Sequence, residues 1–385
     1  MVMPALAPIP VVDVPIDFGR NFPPPSPLVP RYLKQALLET AETDIATAVR
    51  FPRFMGSDRD RAAGAAWIAQ RLGQRPEIDR IVMSNGTQSI LAMLMAKFVQ
   101  PGGTLLTEAF TYAAIKPLSA LFGIKLHPVE IDQGGIEPDA LDRACVAANG
   151  TARALYCMPT IHNPTSAIMS GDRRHAVAQI ARRHNLQIFE DDIYGVLPEV
   201  APPPLSTYAP ERSWYILGLS KSLAAQLRVA YAVAPNAMAA AGAFWPGVRT
   251  TNWMVAPLVA EVATHWLERD IGERVLRSVR TETASRKALA GAILPAANIA
   301  AHPSSYHLWI ELPAGWELQE FLAAARRASV IVGAGDSFAI RKKDGERHFR
   351  IGIGVPADEA ELRRGLDVVA DLMDRVSVRQ QQRKG

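Results

Sequence analysis

Five side chains of different chemistry follow one another between positions 163 and 228: the carboxamide of Asn163, the carboxylate of Asp191, the phenol of Tyr194, the amine of Lys221 and the guanidinium of Arg228. Lys221 lies just past the apolar run Tyr215, Ile216, Leu217. An amine in such a half-buried place has its pKa lowered, which leaves part of it neutral and able to attack a carbonyl. Asp191 follows Ile188, Phe189 and Glu190 and so emerges at the carboxyl end of a strand, where open α/β sheets bind ligands. An ionised carboxylate there can keep a pyridine nitrogen protonated, and the ring then draws electrons from a developing carbanion. Arg228 offers a two-pronged clamp for phosphate. Upstream, Ser84, Asn85, Gly86, Thr87 and Gln88 stand where a strand passes into a helix. Free N–H groups and the helix dipole favour phosphate at such a junction, and Gly86 permits close approach. Singly, each feature has a plainer reading: a solvated lysine at a strand end, a capping Asp191 or Asp192, a glycine in an ordinary turn. Together they are the groups that a phosphorylated pyridine aldehyde needs around its edge.

The elements that must position these groups alternate along the chain. Apolar spacing predicts helices over 58–72, 88–98, 112–122 and 172–184. Between them lie short strand-like runs at 81–83, 105–107, 125–129, 154–158, 187–189, 215–217 and 229–233. Such alternation argues an α/β fold, a mainly parallel sheet covered on both faces by helices. After about residue 265 the texture changes. A charged helix over 262–289, alternating segments at 306–312 and 349–353, and a terminal helix over 358–376 predict a smaller α+β domain. Residues 1–30 include Pro23, Pro24, Pro25 and Pro27 and read as an extended arm ahead of a helix over 30–43. The expected division is an arm and the start of the small domain over 1–45, a large domain over 46–265, and a small domain over 266–385.

Composition narrows the function classes. A chain of 385 residues, 49% hydrophobic, has room for roughly two to three domains. Its net charge of +4 is spread thinly, without a run of five or six Lys/Arg, so no nucleic-acid partner is expected. Cys145 and Cys157 cannot make a disulfide framework and have no Cys or His partner at zinc-ligand spacing. The expectation is no metal site and reduced thiols in a cytoplasmic protein. The start, 1–6, is apolar but lacks a cationic segment, which argues against a secretory signal. Twenty uncharged residues, 229–248, would nominally cross a bilayer. Pro235, Asn236, Gly242 and Pro246 interrupt them, so a strand, a turn and an Ala-rich segment are expected and no membrane partner. Residues 379–384 read as a frayed tail.

On these motifs the chain resembles the fold type I pyridoxal phosphate (PLP) enzymes, specifically the class I/II aminotransferases. It is most similar to the branch of kynurenine/2-aminoadipate aminotransferases and the aminotransferase-like domains of MocR-type regulators. The resemblance runs from Ile16, Asp17, Phe18, Gly19, Arg20, Asn21, Phe22, Pro23, Pro24 to Phe349, Arg350, Ile351, Gly352. It implies a large PLP-binding domain with a mainly parallel seven-stranded sheet between helices, a smaller α+β domain, and a homodimer. It makes Lys221 the Schiff-base lysine and proton shuttle, and Asp191 the partner of the pyridinium nitrogen. Asn163 and Tyr194 would bond the ring's 3-hydroxyl, and Tyr112 would stack on the ring. Gly86, Thr87, Ser220 and Arg228 would bind the phosphate, with Gln88 also binding the cofactor, and Arg350 and Asn163 would bind the substrate, Arg350 gripping its α-carboxylate.

Several positions depart from the family pattern. Gly218 stands where a hydroxyl residue is common three before the lysine, and Gln226 and Ala230 replace glycines flanking the phosphate arginine. Ser166 replaces a glycine after Asn163, Pro164 and Thr165, and Phe51 replaces a tyrosine that relatives lend to a neighbouring subunit's phosphate, with Arg53 a candidate substitute. Amino-group transfer between an L-amino acid and a 2-oxo acid is the leading expectation. The alternatives are another PLP outcome (elimination, decarboxylation or oxidation) and a MocR-like regulatory module, for whose winged-helix reader the Pro-rich arm leaves no room.

Overall fold

The computed structural model describes residues 15–43, 45–295 and 299–384. The start read for a secretory signal, and the arm as far as residue 14, lie outside the described residues. The arm's next residues are held: Ile16–Asp17 pairs in parallel with Val330–Ile331.

The large sheet has seven strands among the described residues. From edge to edge they are Ile81–Ser84, Ala230–Val233, Ser213–Gly218, Gln187–Asp191, Ala152–Cys157, Thr104–Glu108 and Lys125–Val129. Only Ala230–Val233 runs antiparallel to its neighbours. Its amino end therefore lies on the same side as the carboxyl ends of the other six. The strand interiors are almost wholly buried, as a sheet covered on both faces requires. Large side chains such as Trp214, Phe189 and Phe244 fill one face's core, and Leu106, Leu155 and Ile188 belong to the core on the other face.

Helix ends follow their sequence signals. Asp58–Leu72 begins with a reciprocal cap between Ser57 and Asp60 and stops at Gly73, whose φ is 72°. The charged stretch expected as one helix over 262–289 is instead two, Pro257–Glu268 and Ile271–Ile293. Asp270 separates them in the left-handed region with φ 56°, which Asp tolerates better than most residues. The break lets the second helix begin against Trp67. A Cβ on Gly272 would lie 3.1 Å from that indole and 3.2 Å from Leu267. The Ala-rich segment forms the helix Ala237–Thr251, and no helix of the described residues is long and apolar enough to cross a membrane. The terminal helix Glu359–Lys384 continues through the residues read as a frayed tail.

A second, four-stranded antiparallel sheet orders Ile299–Ala300, His307–Glu311, His348–Gly352 and Gly333–Ala334. It brings Arg350 and His307 toward the carboxyl edge of the large sheet. Gly352 donates its N–H to Phe18 O at 2.8 Å, so the chain's beginning is also stitched to this sheet.

Candidate active site

Five parallel strands deliver side chains to one cavity of about 230 Å³. Ile81–Ser84 leads to Gly86, Thr87 and Gln88, Thr104–Glu108 to Tyr112, Ala152–Cys157 to Asn163, Gln187–Asp191 to Asp191 and Tyr194, and Ser213–Gly218 to Ser220 and Lys221. Arg228 arrives from the amino end of the antiparallel strand, and Arg350 from the second sheet. Lys221, Asp191, Tyr194, Asn163, Tyr112 and Arg350 thus line the same space as the residues expected at the phosphate end, Gly86, Thr87, Gln88, Ser220 and Arg228.

Strand alternation sorts the three acids at 190–192. Glu190 accepts the backbone N–H groups of Leu205 and Ser206, each at 2.7 Å. Asp192 pairs with Arg71 at 3.0 Å and accepts from Tyr215 at 2.9 Å. Glu190 is therefore a backbone cap and Asp192 one half of a buried ion pair. Asp191 accepts from the Tyr156 hydroxyl at 3.0 Å through Oδ2, while its buried Oδ1 has no partner. Burial pushes its pKa up to about 7, against the pull of that hydrogen bond, the Ile193 N–H and the Lys221 charge. A buried carboxylate with one empty oxygen is incomplete and calls for a donor, preferably a cationic N–H.

Lys221 directs its amine to the backbone oxygen of Asn21. Burial first, then the nearby Arg350 and Arg228 charges, lowers its pKa to about 8, with Asp191 opposing. Asn163 is placed by a loop that the fully buried Arg174 ties down through Pro159 O at 2.9 Å and the Thr160 hydroxyl at 3.0 Å. Its Oδ1 accepts from Arg350 at 3.0 Å, which leaves its NH₂ group for a ligand. Arg350 also donates to Gly19 O at 2.6 Å, and its guanidinium lies 4.6 Å from the Phe338 ring centre. Its buried Nε has no partner.

The phosphate-like end is built as the strand–helix junction anticipates. Gly86 sits at φ 114°, at the start of Thr87–Leu94, and a Cβ there would lie 3.4 Å from the Arg228 guanidinium. Gln88 lines the cavity, and its side chain donates to the Tyr112 hydroxyl at 3.0 Å and orients that ring. Arg53 does not line the cavity. It pairs with Asp60 at 3.2 Å and with Glu261 of its own chain. At Gly218 a Cβ would meet Ile193 and Thr87 at 3.0 Å, so those side chains take the space where a hydroxyl residue would stand. Ser166 keeps the backbone expected of the glycine it replaces, with φ 62°, and bonds Ser305 at 3.1 Å and His307 O at 3.3 Å.

Sequence reasoning missed Asn21, Tyr156, Glu108 and His307. Asn21 donates to the Tyr194 hydroxyl at 2.8 Å. Glu108 accepts from Met158 N at 2.9 Å and is pushed up to about 8 by burial. His162, 3.7 Å from it, is lowered to about 4 by burial, so their contact is not an ion pair at neutral pH. The one available signal was strand alternation, which puts Tyr156 and Asp191 in adjacent strands.

The features required of a PLP site are therefore present: an empty carboxylate oxygen, a partly neutral amine, and a glycine-lined, arginine-flanked helix start. A family model for aminotransferase class I and II matches residues 16–369. The chain is 29% identical over 310 residues to a Bacillus subtilis protein named HTH-type transcriptional regulator YdeF, covering 80% of this chain and 66% of that one. It covers still smaller shares of two other curated relatives. It is 27% identical over 285 residues to the 2-aminoadipate transaminase of Thermus thermophilus, covering 71% and 70%. The crystal structure of Pyrococcus horikoshii kynurenine aminotransferase shares the fold, with a TM-score of 0.83 at 20% identity over 95% of this chain and 92% of that one. Matched by that model over nearly its whole length, the chain belongs to the class I and II aminotransferase family.

Proposed function

We propose that this chain is a PLP-dependent aminotransferase that moves an amino group between an L-amino acid and a 2-oxo acid. The observation that carries the reading is the buried, unpartnered Oδ1 of Asp191 in the same cavity as the partly neutral Lys221 amine. When bound, PLP would supply an aldehyde for amine capture and a pyridinium ring that takes up electrons from the substrate Cα.

Each residue then has a task. Lys221 would anchor the cofactor covalently and, once displaced by substrate, its Nζ would take the Cα proton. Asp191 would keep the ring nitrogen protonated, with Tyr156 holding its other oxygen. Asn163 and Tyr194 would donate to the ring's 3-oxygen, and Tyr112, oriented by Gln88, would cover a ring face. Gly86, Thr87, Ser220, Arg228 and the Gln88 backbone would hold the phosphate. Arg350, fixed by Asn163 and Gly19, would orient the substrate α-carboxylate and so select the bond that breaks. The catalytic assignment is thus Lys221, Asp191 and Tyr194.

The same reading carries a large cofactor domain over 46–265 and a small domain over 266–385 with the arm. It also carries a cytoplasmic homodimer, supported by the free buried thiols and by exposed Phe51 (60%) and Trp245 (47%). Likeness to a protein named as a transcriptional regulator favours one second reading, a PLP-responsive module without turnover. Half-reactions with acidic, basic, aromatic and aliphatic amino acids separate the two. The expected result is one 2-oxo acid per site, with loss of the cofactor's visible band, for at least one class. Release of ammonia or peroxide in its place would refute amino transfer, and inertness toward every class would favour the module.

A further inference from the structure

His307 lies in the strand His307–Glu311, with no exposed surface and no place in the reaction described above. Its Nε2 is 3.2 Å from the backbone oxygen of His162, and its Nδ1 is 3.2 Å from Asn21 Nδ2. Burial, reinforced by the Arg350 charge, holds it neutral. A neutral imidazole has one N–H, and a carbonyl oxygen can only accept. The proton must therefore sit on Nε2, and Nδ1 must accept. That tautomer dictates which way the Asn21 carboxamide faces: its NH₂ group is turned toward His307 and the Tyr194 oxygen, 2.8 Å away. Asn21 Oδ1 is left buried without a partner. The Tyr194 oxygen is then an acceptor from Asn21, so its own proton is free to point into the cavity it lines.

We propose that His307 is a positioning residue that, through Asn21, orients the Tyr194 hydroxyl proton toward the cofactor's ring oxygen. The inference rests on the PLP reading above. Its physical content is a choice between two arrangements. With Nδ1 accepting, Asn21 donates to Tyr194 and Tyr194 donates to the ring. Without that acceptor, Asn21 can turn over, its empty Oδ1 gains the Tyr194 proton, and the ring oxygen loses its donor. The Asn21 backbone oxygen also receives the Lys221 amine, so the segment that His307 steadies reaches both groups.

The test reads the pH midpoint of the bound cofactor's visible absorption change rather than turnover. A donor to the ring's 3-oxygen withdraws charge from it and lowers that midpoint. His307→Phe, which keeps the ring volume and removes the acceptor, should raise it by about 0.5 to 1 unit, the effect of one neutral hydrogen bond. His307→Asn restores an acceptor and should return the midpoint toward the wild-type value. In an Asn21→Ala background, His307→Phe should have no effect, because the relay is already cut. Equal midpoints in all folded, PLP-loaded variants, or an undiminished His307→Phe shift without Asn21, would overturn the proposal. Should His307→Phe not fold, ¹⁵N-histidine NMR of the cofactor-free wild type decides. The Nε2–H tautomer at His307 is expected, and Nδ1–H overturns the relay. Failure of the wild type to bind PLP would instead strike the functional reading, and the NMR result stands apart from it.

Discussion

Replacing Asp191 by Asn should make the cofactor-free protein more stable while weakening its hold on PLP. In the folded chain the carboxyl is buried, with Oδ1 unpartnered, and its pKa is raised from an ordinary 3.8 to about 7. The sign follows from proton linkage. The folded state binds this proton more tightly than the unfolded state, so the ionised group destabilises folding above pH 7 and the penalty fades as pH falls toward 3.8. At about 1.4 kcal/mol per pH unit, the rise from 3.8 to about 7 corresponds to roughly 4 kcal/mol at pH 8 as an upper bound. At pH 5 it corresponds to about 1.6 kcal/mol. A carboxamide of the same shape removes this term and retains an acceptor for Tyr156. With an unfolding entropy of ~0.8 kcal/mol/K for a chain of this length, Tm should rise by ~1–5 °C at pH 8 and by less than half as much at pH 5. The assay is calorimetry of cofactor-free wild type and Asp191→Asn at both pH values, followed by the same scans with PLP. PLP should stabilise the variant less than the wild type. An unchanged or lower cofactor-free Tm at pH 8, or an equal gain at pH 5, would refute the argument that the site holds an incompletely compensated charge.

Truncating Arg350 to Ala removes the donors to Asn163 and Gly19 as well as the proposed carboxylate clamp. Steady-state kinetics should then show kcat/KM lower by roughly 10²–10³-fold, with KM raised and kcat lowered together. Gly218→Ser restores the residue type common at that position but places a Cβ 3.0 Å from Ile193 and Thr87. Overpacking should cost about 1–3 kcal/mol in denaturant unfolding and weaken PLP binding in a fluorescence titration. The rate of covalent PLP attachment should rise with pH and level off above about 8, because only the neutral Lys221 amine attacks and its pKa is lowered to about 8. Stopped-flow absorbance checks this.

The sheet was legible because its strands are short apolar runs with helical stretches between them, and 125–129 and 58–72 coincide with observed elements. The break at Asp270 was not legible, since apolar and charged spacing continues through it and only the contact of Gly272 with Trp67 reveals why the chain turns. Asp191, Lys221 and Gly86 could be singled out because each sits at a strand end, a place that periodicity locates. That Asp192 is spent on an ion pair with Arg71 was not legible. Asn21 and His307 stand 286 residues apart and carry no local pattern, so only the packing of the arm against the small sheet brings them to Tyr194. The pairing of Arg53 with Asp60 and Glu261 was not legible either, since Glu261 lies 208 residues away in the chain.

The most direct measurement is to load the protein with PLP, reduce it with borohydride and map the product by peptide mass spectrometry. A phosphopyridoxyl group confined to Lys221, and absent in Lys221→Ala, is the predicted result. A wild-type protein that takes no label, or takes it at other lysines, would contradict the account.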